Sequence, residues 1–347
     1  MVFFSRRKTL LGVDVGSDSI KAVELAQQGD ELLCTGYGQV EIPQGADAAD
    51  ALSDLLRACG FQSRRCATSV SGRSVIVRFM PMVDVPEANL KSAVRFEADK
   101  YIPFELDEVV TDCSKLASGG DKDGEMKVLL VAAKRDVIES RVQLLRKAGL
   151  EPALIDVDPF AVGNAFELVS LSNPDTALGA RVSALIDIGG AKTTVTVVKA
   201  HEPRFTREVY LGGEDFATAV AKRLGVESAE AEQLKRNPGE RADEVAQALA
   251  NSVDELANEI LLSLDYYEDR QDGERVENVY LSGGGARTPG LEESLERTFE
   301  RTTTSWSPVS GLAVDGDVVD ADLLTENAPQ LAVAVGLASR VRKEGSR

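Results

Sequence analysis

Two similar stretches of sequence, about half a chain apart, constrain the fold more than any other feature. Leu11–Leu25 recurs in outline as Ala184–Val198, so that Asp14 and Asp187 lie 173 residues apart in a chain of 347 residues. In each copy an apolar run meets Asp-x-Gly, and apolar residues then return at alternate positions. This pattern predicts a strand, a tight glycine turn and a second strand. We therefore expect an α/β chain built from two related halves.

The first half, residues 1–180, contains a segment without a counterpart in the second half, residues 181–347. Between about 81 and 149 the pattern predicts a helix, two strands and a further helix. We expect this segment to form an inserted subdomain. A polar turn is predicted at 118–124, between the two strands, and a polar linker between the halves is predicted at 172–180.

The second half is predicted to carry a smaller subdomain at about 200–272. Apolar residues at steps of three and four from Val245 to Tyr267 predict a long amphipathic helix in it that packs against a sheet. A strand at 276–281 should follow, then a helix beginning near Pro289. The last apolar helix is predicted at Pro329–Leu337.

The composition limits the classes of function. There are 57 Asp plus Glu against 39 Lys plus Arg, and the formal charge of −18 excludes bare nucleic acid as a main partner. No apolar run approaches the roughly 18 residues of a membrane span. Met1–Lys8 lacks the order of a secretory signal, so we expect a cytoplasmic protein. The 4 cysteines form no C-x-x-C pair, and His201 is the sole histidine, which argues against thiol–histidine chemistry.

The two Asp-x-Gly turns suit a nucleoside triphosphate. Glycine turns let backbone N–H groups approach phosphate oxygens without a clashing Cβ atom. The carboxylates of Asp14 and Asp187 can hold a hydrated magnesium ion that bridges the phosphates. The side chains that would add hydroxyl donors or balance charge are Ser17, Ser19, Lys21 and Lys192.

A third glycine cluster strengthens this interpretation. Gly283, Gly284 and Gly285 follow a predicted strand and precede a predicted helix, an order that lets a flat ligand lie against bare backbone. Three such loops rarely arise as unrelated turns. A P-loop is disfavoured because Lys192-Thr193 lacks the preceding glycine, and no strand is followed by G-x-G-x-x-G.

Four stretches resemble the nucleotide-binding segments of the actin-like ATPase superfamily, which includes actin, the DnaK-type chaperones, sugar kinases and FtsA. Leu11–Lys21 is similar to the first phosphate loop, Ile155–Asp158 to the first connecting segment, Ile186–Thr193 to the second phosphate loop and Tyr280–Ala286 to the adenosine loop. The resemblance implies an actin-like fold, with duplicated ribonuclease H-like halves and an FtsA-type subdomain inserted in the first half.

Within this superfamily the chain is similar to the PilM family of type IV pilus assembly proteins, over nearly its whole length. The stretches that carry this similarity are Asp14–Leu25, Phe96–Phe104, Asp156–Phe160, Gly212–Gly213 and Ala231–Lys235. The similarity implies ATP and Mg²⁺ as cofactors, with Asp14 and Asp187 facing the metal ion.

The resemblance also implies roles for residues beyond the two metal-facing aspartates. Asp156 and Asp158 lie where the superfamily places the residue that orients water or deprotonates a hydroxyl; capping of a helix is the alternative for Asp158. For Glu232 and Lys235, a solvated ion pair on a helix face is the alternative. The residues expected at the nucleotide are Gly16, Ser17, Ser19, Lys21, Gly189, Gly190, Lys192, Thr193, Gly213, Glu232, Lys235, Gly283, Gly284 and Gly285.

The same resemblance implies a protein partner. In relatives, the inserted subdomain and the neighbouring first subdomain take up the short cytoplasmic N-terminal tail of the membrane protein PilN. The apolar cluster and acidic run at 97–108 would suit such a tail, whose residues next to a membrane span are commonly basic. We expect a scaffold at the inner face of the inner membrane, which contacts other pilus platform proteins, reaches the membrane only through its partner and self-associates in some states.

Two alternatives of the same fold stay open, together with the question of whether bound ATP is hydrolysed. A small-molecule (sugar) kinase would use Asp156 or Asp158 as the base toward a substrate hydroxyl. An FtsA-like division polymer would normally bring a C-terminal amphipathic helix that binds the membrane, and the short polar stretch at 340–347 is not of that kind. Hydrolysis, if present, is expected to be weak.

Overall fold

The computed structural model describes residues 8–43, 45–119, 124–173, 178–270 and 274–342. Residues 1–7, part of the polar stretch at 340–347, and parts of the predicted turn at 118–124 and linker at 172–180 lie outside these residues. No helix in the described ranges is long and apolar enough to cross a membrane.

The strands and helices of the described residues alternate as expected for an α/β chain. The strands are β1 Thr9–Val15, β2 Ser19–Gln28, β3 Glu31–Glu41, β4 Arg65–Val70, β5 Val75–Val83, β6 Val109–Lys115, β7 Glu125–Lys134, β8 Glu151–Val157, β9 Ser183–Ile188, β10 Thr193–Lys199, β11 Glu202–Val209, β12 Asn278–Ser282, β13 Thr302–Ser305 and β14 Ala313–Val314. The helices are α1 Ala48–Cys59, α2 Glu87–Glu97, α3 Arg135–Lys147, α4 Asp158–Ser172, α5 Gly213–Leu224, α6 Ser228–Arg236, α7 Ala242–Arg270, α8 Leu291–Phe299, α9 Ala321–Glu326 and α10 Ala332–Ala338.

The two main sheets repeat one arrangement, which confirms the predicted duplication. The first has the strand order β14-β3-β2-β1-β4-β8 and the second β11-β10-β9-β12-β13. In each sheet the strand with the Asp-x-Gly motif forms an antiparallel hairpin with the next strand and pairs in parallel with a later one. Because the two hairpins are equivalent, their turns come at corresponding edges of the two sheets.

A separate three-stranded sheet, in the order β5-β7-β6, lies within the first half. Its core holds Met80, Leu90 and Leu130, whereas Leu145 of α3 packs in the core of the first-half sheet beside α1. The packing therefore favours a unit of about 75–134, narrower than the predicted 81–149, and we propose these bounds.

The largest apolar core joins the two halves. It contains Leu10 of the first sheet, Leu185 of the second, and the helices α4 and α10 between them. The two helices pack so closely that a Cβ atom on Gly336 would lie 1.7 Å from the carbonyl oxygen of Ala161. The halves are thus held together by a buried helix pair at the base of the cleft described below.

Several helix predictions are confirmed and others are refined. Helix α7 buries the predicted stripe from Val245 to Tyr267. The helix predicted at Pro329–Leu337 is divided into a 3₁₀ turn at Ala328–Leu331 and α10, and the helix predicted near Pro289 begins as α8 at Leu291 after a 3₁₀ turn at Gly285–Arg287. Pro289 and Gly290 explain the second break, since proline has no N–H group to continue a helical ladder and Gly290 has φ of +77°.

Candidate functional site

The glycine turns of the two halves line one cleft of about 600 Å³, a size typical of small-molecule sites. Each Asp-x-Gly turn is closed by an equivalent backbone hydrogen bond: Gly16 N–H donates to Ser19 at 3.0 Å, and Gly189 N–H donates to Lys192 at 2.8 Å. Gly213 N–H then donates to the Gly189 carbonyl at 2.9 Å, which adds the start of α5 to the same place. The cleft is therefore built from loops that lie far apart in sequence.

The approach of these loops leaves no room for side chains at two glycines. A Cβ atom on Gly190 would lie 2.3 Å from Oδ1 of Asp18, on the facing turn of the first half. Gly283 has φ of +90°, and a Cβ atom there would lie 2.3 Å from the carbonyl oxygen of Ile188. Such bare backbone suits a phosphorylated ligand, because only peptide groups stand between the ligand and the sheets.

Three carboxylates from different elements lie within electrostatic range of one another, next to Lys21 and Gly189 of the cleft wall. Asp14 lies at the end of β1, Asp187 near the end of β9 and Asp158 at the start of α4; Asp158 acts electrostatically on the other two, and Asp14 acts on Asp187. Lys21 Nζ lies 3.5 Å from Asp14 Oδ2, and Lys192 Nζ lies 3.2 Å from Asp158 Oδ2. Both lysines thus contact carboxylates of the protein.

Burial and mutual repulsion separate the acidities of these three groups. Burial raises the pKa of Asp187 to about 6, although a hydrogen bond of 2.8 Å from Ser282 Oγ to its carboxylate opposes the rise. Burial likewise raises the pKa of Asp14, although Lys21 opposes it. For Asp158 burial is outweighed by Lys192 and by neighbouring serine hydroxyls, so its pKa lies below the ordinary value. Asp158 is therefore the most firmly ionised of the three.

The donor set fits a hydrated Mg²⁺ ion better than a metal cage. Within the described residues no group of three or more His, Cys, Asp or Glu side chains is placed to hold a metal ion. Mg²⁺ keeps several waters and needs only one or two carboxylates together with phosphate oxygens. Asp14 and Asp187, in a cleft with glycine turns, supply such a set, so the residues present fit magnesium together with a phosphorylated ligand.

The structure separates the two aspartates predicted as catalytic. Asp158 belongs to the carboxylate group of the cleft, while Asp156 Oδ2 accepts a hydrogen bond of 2.9 Å from Arg340 and lines a second groove on the other side of β8. Asp158 does not cap α4, whose N-cap residue is Val157. In a continuous strand, Asp156 and Asp158 would point to the same face of the sheet. Because the strand ends at Val157 and α4 begins at Asp158, the two side chains point in different directions.

Glu232 and Lys235 lie in the cleft wall and also form the predicted ion pair. Lys235 Nζ lies 2.7 Å from Glu232 Oε2 and donates to the Gly213 carbonyl oxygen at 2.9 Å, and the lysine is only 5% exposed. Lys235 is thus buried against the glycine loops, while the Glu232 side chain is partly exposed. Its first effect is to fix α6 against the start of α5.

Most of the predicted nucleotide-binding residues line the cleft or its turns. Those in the cleft wall are Ser19, Lys21, Gly189, Gly190, Gly213, Glu232, Lys235, Gly284 and Gly285. Gly16 and Ser17 form the facing turn beside Gly190. Thr193 is buried, and its hydroxyl donates to the Leu211 carbonyl at 2.8 Å, so it supports the loop from behind.

A polar cluster at the outer end of the cleft is absent from the sequence prediction. Asn327 Oδ1 accepts hydrogen bonds from Gln39 at 3.3 Å, Arg287 at 3.2 Å and Gln330 at 2.9 Å. These residues come from β3, from the glycine-rich loop after β12 and from the segment before α10. No local motif marks them. Of these residues, only Arg287 could have been suspected from the sequence, because it directly follows the predicted adenosine loop.

Residues 12–342 match the profile of the family described as "Type IV pilus assembly protein PilM". The chain belongs to the PilM family. Its fold superposes on a chain of a solved PilM–PilN type IV pilus biogenesis complex with a TM-score of 0.84 and 28% sequence identity, over 96% of this chain and 98% of that one. The match includes the separate sheet within the first half.

More distant relatives of this PilM-family chain share parts of its sequence or only its fold. It is 24% identical to cell division protein FtsA of Bacillus subtilis over 66% of its length, and 25% identical to ethanolamine utilization protein EutJ of Escherichia coli over 46%. It spans 58% of that FtsA and 49% of that EutJ. MreB5 of Spiroplasma citri bound to AMPPNP has the same fold, with a TM-score of 0.51 and 11% identity over 99% of this chain and 98% of that one.

The groove next to Asp156 is another concave feature of this PilM-family chain, and we call it the sheet groove. It encloses about 580 Å³ between β6 and β7 of the separate sheet and the β8–α4 junction of the first half. Its wall combines apolar residues with the Lys91–Asp112 and Arg340–Asp156 ion pairs. The apolar residues are Val70, Val110, Leu129, Val131, Ala133, Ile138, Ile155, Val157 and Phe160.

Proposed function

We propose that this protein is an ATP-binding scaffold of the type IV pilus assembly platform, which works at the cytoplasmic face of the inner membrane and binds the cytoplasmic tail of PilN. The observation that carries the proposal is the likeness to a chain of the PilM–PilN complex, at 28% identity over 96% of the chain. A similarity of this extent includes both the cleft and the sheet groove.

Nucleotide binding is supported by the chemistry of the cleft. Glycine turns from both halves offer backbone N–H groups, and Asp14 and Asp187 would hold a hydrated Mg²⁺ ion, which would neutralise phosphate charge when bound. Arg287, Glu232 and Lys235 would lie toward the ribose and base. The fold neighbour MreB5 was solved with AMPPNP bound, which agrees with this assignment.

The state of Asp158 favours binding over rapid hydrolysis. A general base works best when its pKa is near the working pH, whereas Lys192 and the neighbouring serine hydroxyls hold the pKa of Asp158 below its ordinary value despite burial. Asp158 can orient a water molecule through its carboxylate, but it accepts a proton poorly. We therefore propose slow turnover, with the bound nucleotide acting as a structural ligand.

The sheet groove is the place we propose for the PilN tail. The groove lies at the junction between the separate sheet and the first half, and β6 pairs only with β7 among the described strands. An extended peptide can add to such an edge strand through backbone hydrogen bonds. Asp112 and Asp156 in its wall are paired with Lys91 and Arg340, so the proposal rests on the edge strand and the apolar residues and not on charge.

Two titrations of the full-length chain test the proposal. In the first, Mg–ATP is titrated calorimetrically into the wild type and into Asp187→Ala, and we expect saturable binding that the variant loses. In the second, a synthetic peptide of the PilN cytoplasmic tail is titrated into the wild type, Val110→Glu and Val83→Glu. Val110 lines the groove, while Val83 is 71% exposed on β5, at the opposite edge of the same sheet.

Comparison of the two valine variants locates the peptide-binding site. We expect Val110→Glu to weaken peptide binding by at least about tenfold, because it buries a charge in an apolar contact, and Val83→Glu to leave it unchanged. Equal loss in both variants would argue against the groove. A wild type that binds neither peptide nor Mg–ATP would refute the proposed function.

A further inference from the structure

Glu208 of β11 makes a contact between the two halves that no sequence motif marks. Its Oε1 accepts a hydrogen bond of 2.9 Å from the Gly72 N–H group and a second one from the Lys192 ammonium. Its Oε2 accepts a hydrogen bond of 3.0 Å from the Tyr210 hydroxyl. Because Gly72 belongs to the first half and Lys192 to the second, one partly buried carboxylate holds both halves together.

Lys192 is shared between Glu208 and the inner end of the cleft. It closes the turn of Gly189 and Gly190, whose residues line the cleft, and its ammonium contacts Asp158 as well as Glu208. Burial lowers the pKa of Lys192, but the two carboxylates outweigh this effect and raise it, so the side chain stays charged. This ammonium is thus a cation beside the phosphate-binding turns whose partners are both protein carboxylates.

The loop that Glu208 holds leads directly to the sheet groove. Gly72 has φ of +91°, and its carbonyl accepts a hydrogen bond of 2.8 Å from Val75, the first residue of β5. Val70, at the end of β4, lines the groove. A cation–π contact strengthens the junction, since the Arg73 guanidinium lies 4.6 Å from the centre of the Tyr210 ring.

We propose that Glu208 is a positioning residue that clasps the Gly72 loop to the second half and competes with an anionic ligand of the cleft for Lys192. The Lys192 ammonium has a third N–H donor but lies outside the cleft wall, so turning toward a phosphate oxygen in the cleft weakens its contacts with Glu208 and Asp158. Glu208 then lacks its cation, and a partly buried carboxylate without one is costly. The carboxylate turns toward water, and the Gly72 N–H group loses its acceptor. The inference rests on the proposed nucleotide binding.

Hydrogen exchange on the full-length chain tests the clasp, with Mg–AMPPNP as the probe. In the wild type we expect saturating Mg–AMPPNP to speed exchange of residues 70–78 by at least about fivefold, because the Gly72 amide is released. In Glu208→Gln the neutral amide oxygen holds the Gly72 N–H and Lys192 more weakly than the carboxylate, so this segment should already exchange faster than in the wild type and respond to the probe less than about twofold. Glu259→Gln is the matched control, because Glu259 pairs with Arg207 on the same strand, away from Lys192.

The affinity for Mg–AMPPNP separates a clasp from a merely structural role. Glu208→Gln frees Lys192 and removes a negative charge near the phosphates, so it should bind Mg–AMPPNP about five times more tightly than the wild type. A purely structural Glu208 would give weaker binding in the variant, and that result overturns the inference. A wild type that binds Mg–AMPPNP without faster exchange at 70–78 also overturns it and leaves the proposed function intact. A wild type that does not bind the probe refutes both.

Discussion

At the scale of single residues, the site depends on how burial changes the charge of its carboxylates. Asp187 and Asp14 are pushed toward the protonated form, while Lys192 keeps Asp158 ionised. A cation such as Mg²⁺ would relieve the first two, because it offsets the desolvation that raises their pKa values. Burial therefore disfavours the ionised forms of Asp14 and Asp187 at the positions where we propose the metal ion.

The raised pKa of Asp187 predicts a pH dependence of stability with a definite sign. The folded state keeps the proton up to about pH 6 and the unfolded chain releases it near pH 4, so ionised Asp187 lowers the free energy of unfolding progressively from pH 4 to pH 6. Asp187→Asn removes this slope and can still accept from Ser282. We expect the variant to be about 1 to 3 kcal/mol more stable than the wild type at pH 7 and nearly equal to it at pH 4.

Urea unfolding of both proteins between pH 4 and pH 7 measures this difference, and other titrating groups cancel in the comparison. A difference that stays constant across the range would contradict the burial argument. The same carboxylate should matter for ligand binding in the opposite direction. Mg–ATP affinity of the wild type should fall as the pH drops through 6, because the protonated carboxyl no longer holds Mg²⁺.

Asp156 and Asp158, on either side of Val157, should affect the binding of different ligands. Asp158→Asn should alter Mg–ATP binding or turnover, because it removes a partner of Lys192, and should leave PilN-tail binding in the absence of nucleotide within about twofold. Asp156→Asn should do the reverse, because its carboxylate holds Arg340 beside the sheet groove. Both titrations on both variants check this, and loss of nucleotide binding in Asp156→Asn would contradict the assignment of the two sites.

At the scale of secondary-structure elements, the crossing of α4 and α10 sets how the halves can meet. Gly336→Ala would place a Cβ atom 1.7 Å from a backbone oxygen of α4, which only a shift of one helix can relieve. We expect it to lower the free energy of unfolding by at least about 2 kcal/mol. Gly163→Ala, on α4 itself, meets nothing within 4 Å and should raise stability by up to about 1 kcal/mol.

Chemical denaturation of the two glycine variants beside the wild type gives the comparison. Both changes add one methyl group to a helix, so helix propensity favours alanine in both, and only the space around the Cβ atom differs. If Gly336→Ala were as stable as Gly163→Ala, the close crossing of the helices would be wrong.

Elements with a strong periodicity of apolar residues were predictable from the sequence, whereas isolated contacts between distant residues were not. The Asp-x-Gly hairpins and α7 follow from periods of two and of three to four, which reflect burial on one face. Asp156 was ambiguous, because its direction depends on the residue at which β8 becomes α4. Glu208, Asn327 and Arg287 were missed, since each acts through partners distant in sequence. Such residues carry no local pattern, although they complete the site.

At the scale of the whole molecule, the cleft and the sheet groove lie on either side of the β8–α4 junction. The β8–α4 segment gives Asp156 to the sheet groove and Asp158 to the cleft, and the Gly72 loop connects β4 with the separate sheet. Both connections belong to the first half, and the second half touches them through Lys192 and Glu208. A change in how the halves meet is therefore also a change at the edge of the sheet groove.

This arrangement predicts that the cleft and the sheet groove are coupled. Saturating Mg–AMPPNP should change the dissociation constant of the PilN-tail peptide by about five- to 150-fold, the usual range for linked sites, because release of the Gly72 loop repositions Val70 at the groove. By linkage the peptide must change the affinity for Mg–AMPPNP by the same factor. The coupling should vanish in Glu208→Gln and persist in Glu259→Gln. Fluorescence titration of labelled peptide measures it, and equal affinities with and without Mg–AMPPNP in the wild type would show that the two sites act independently.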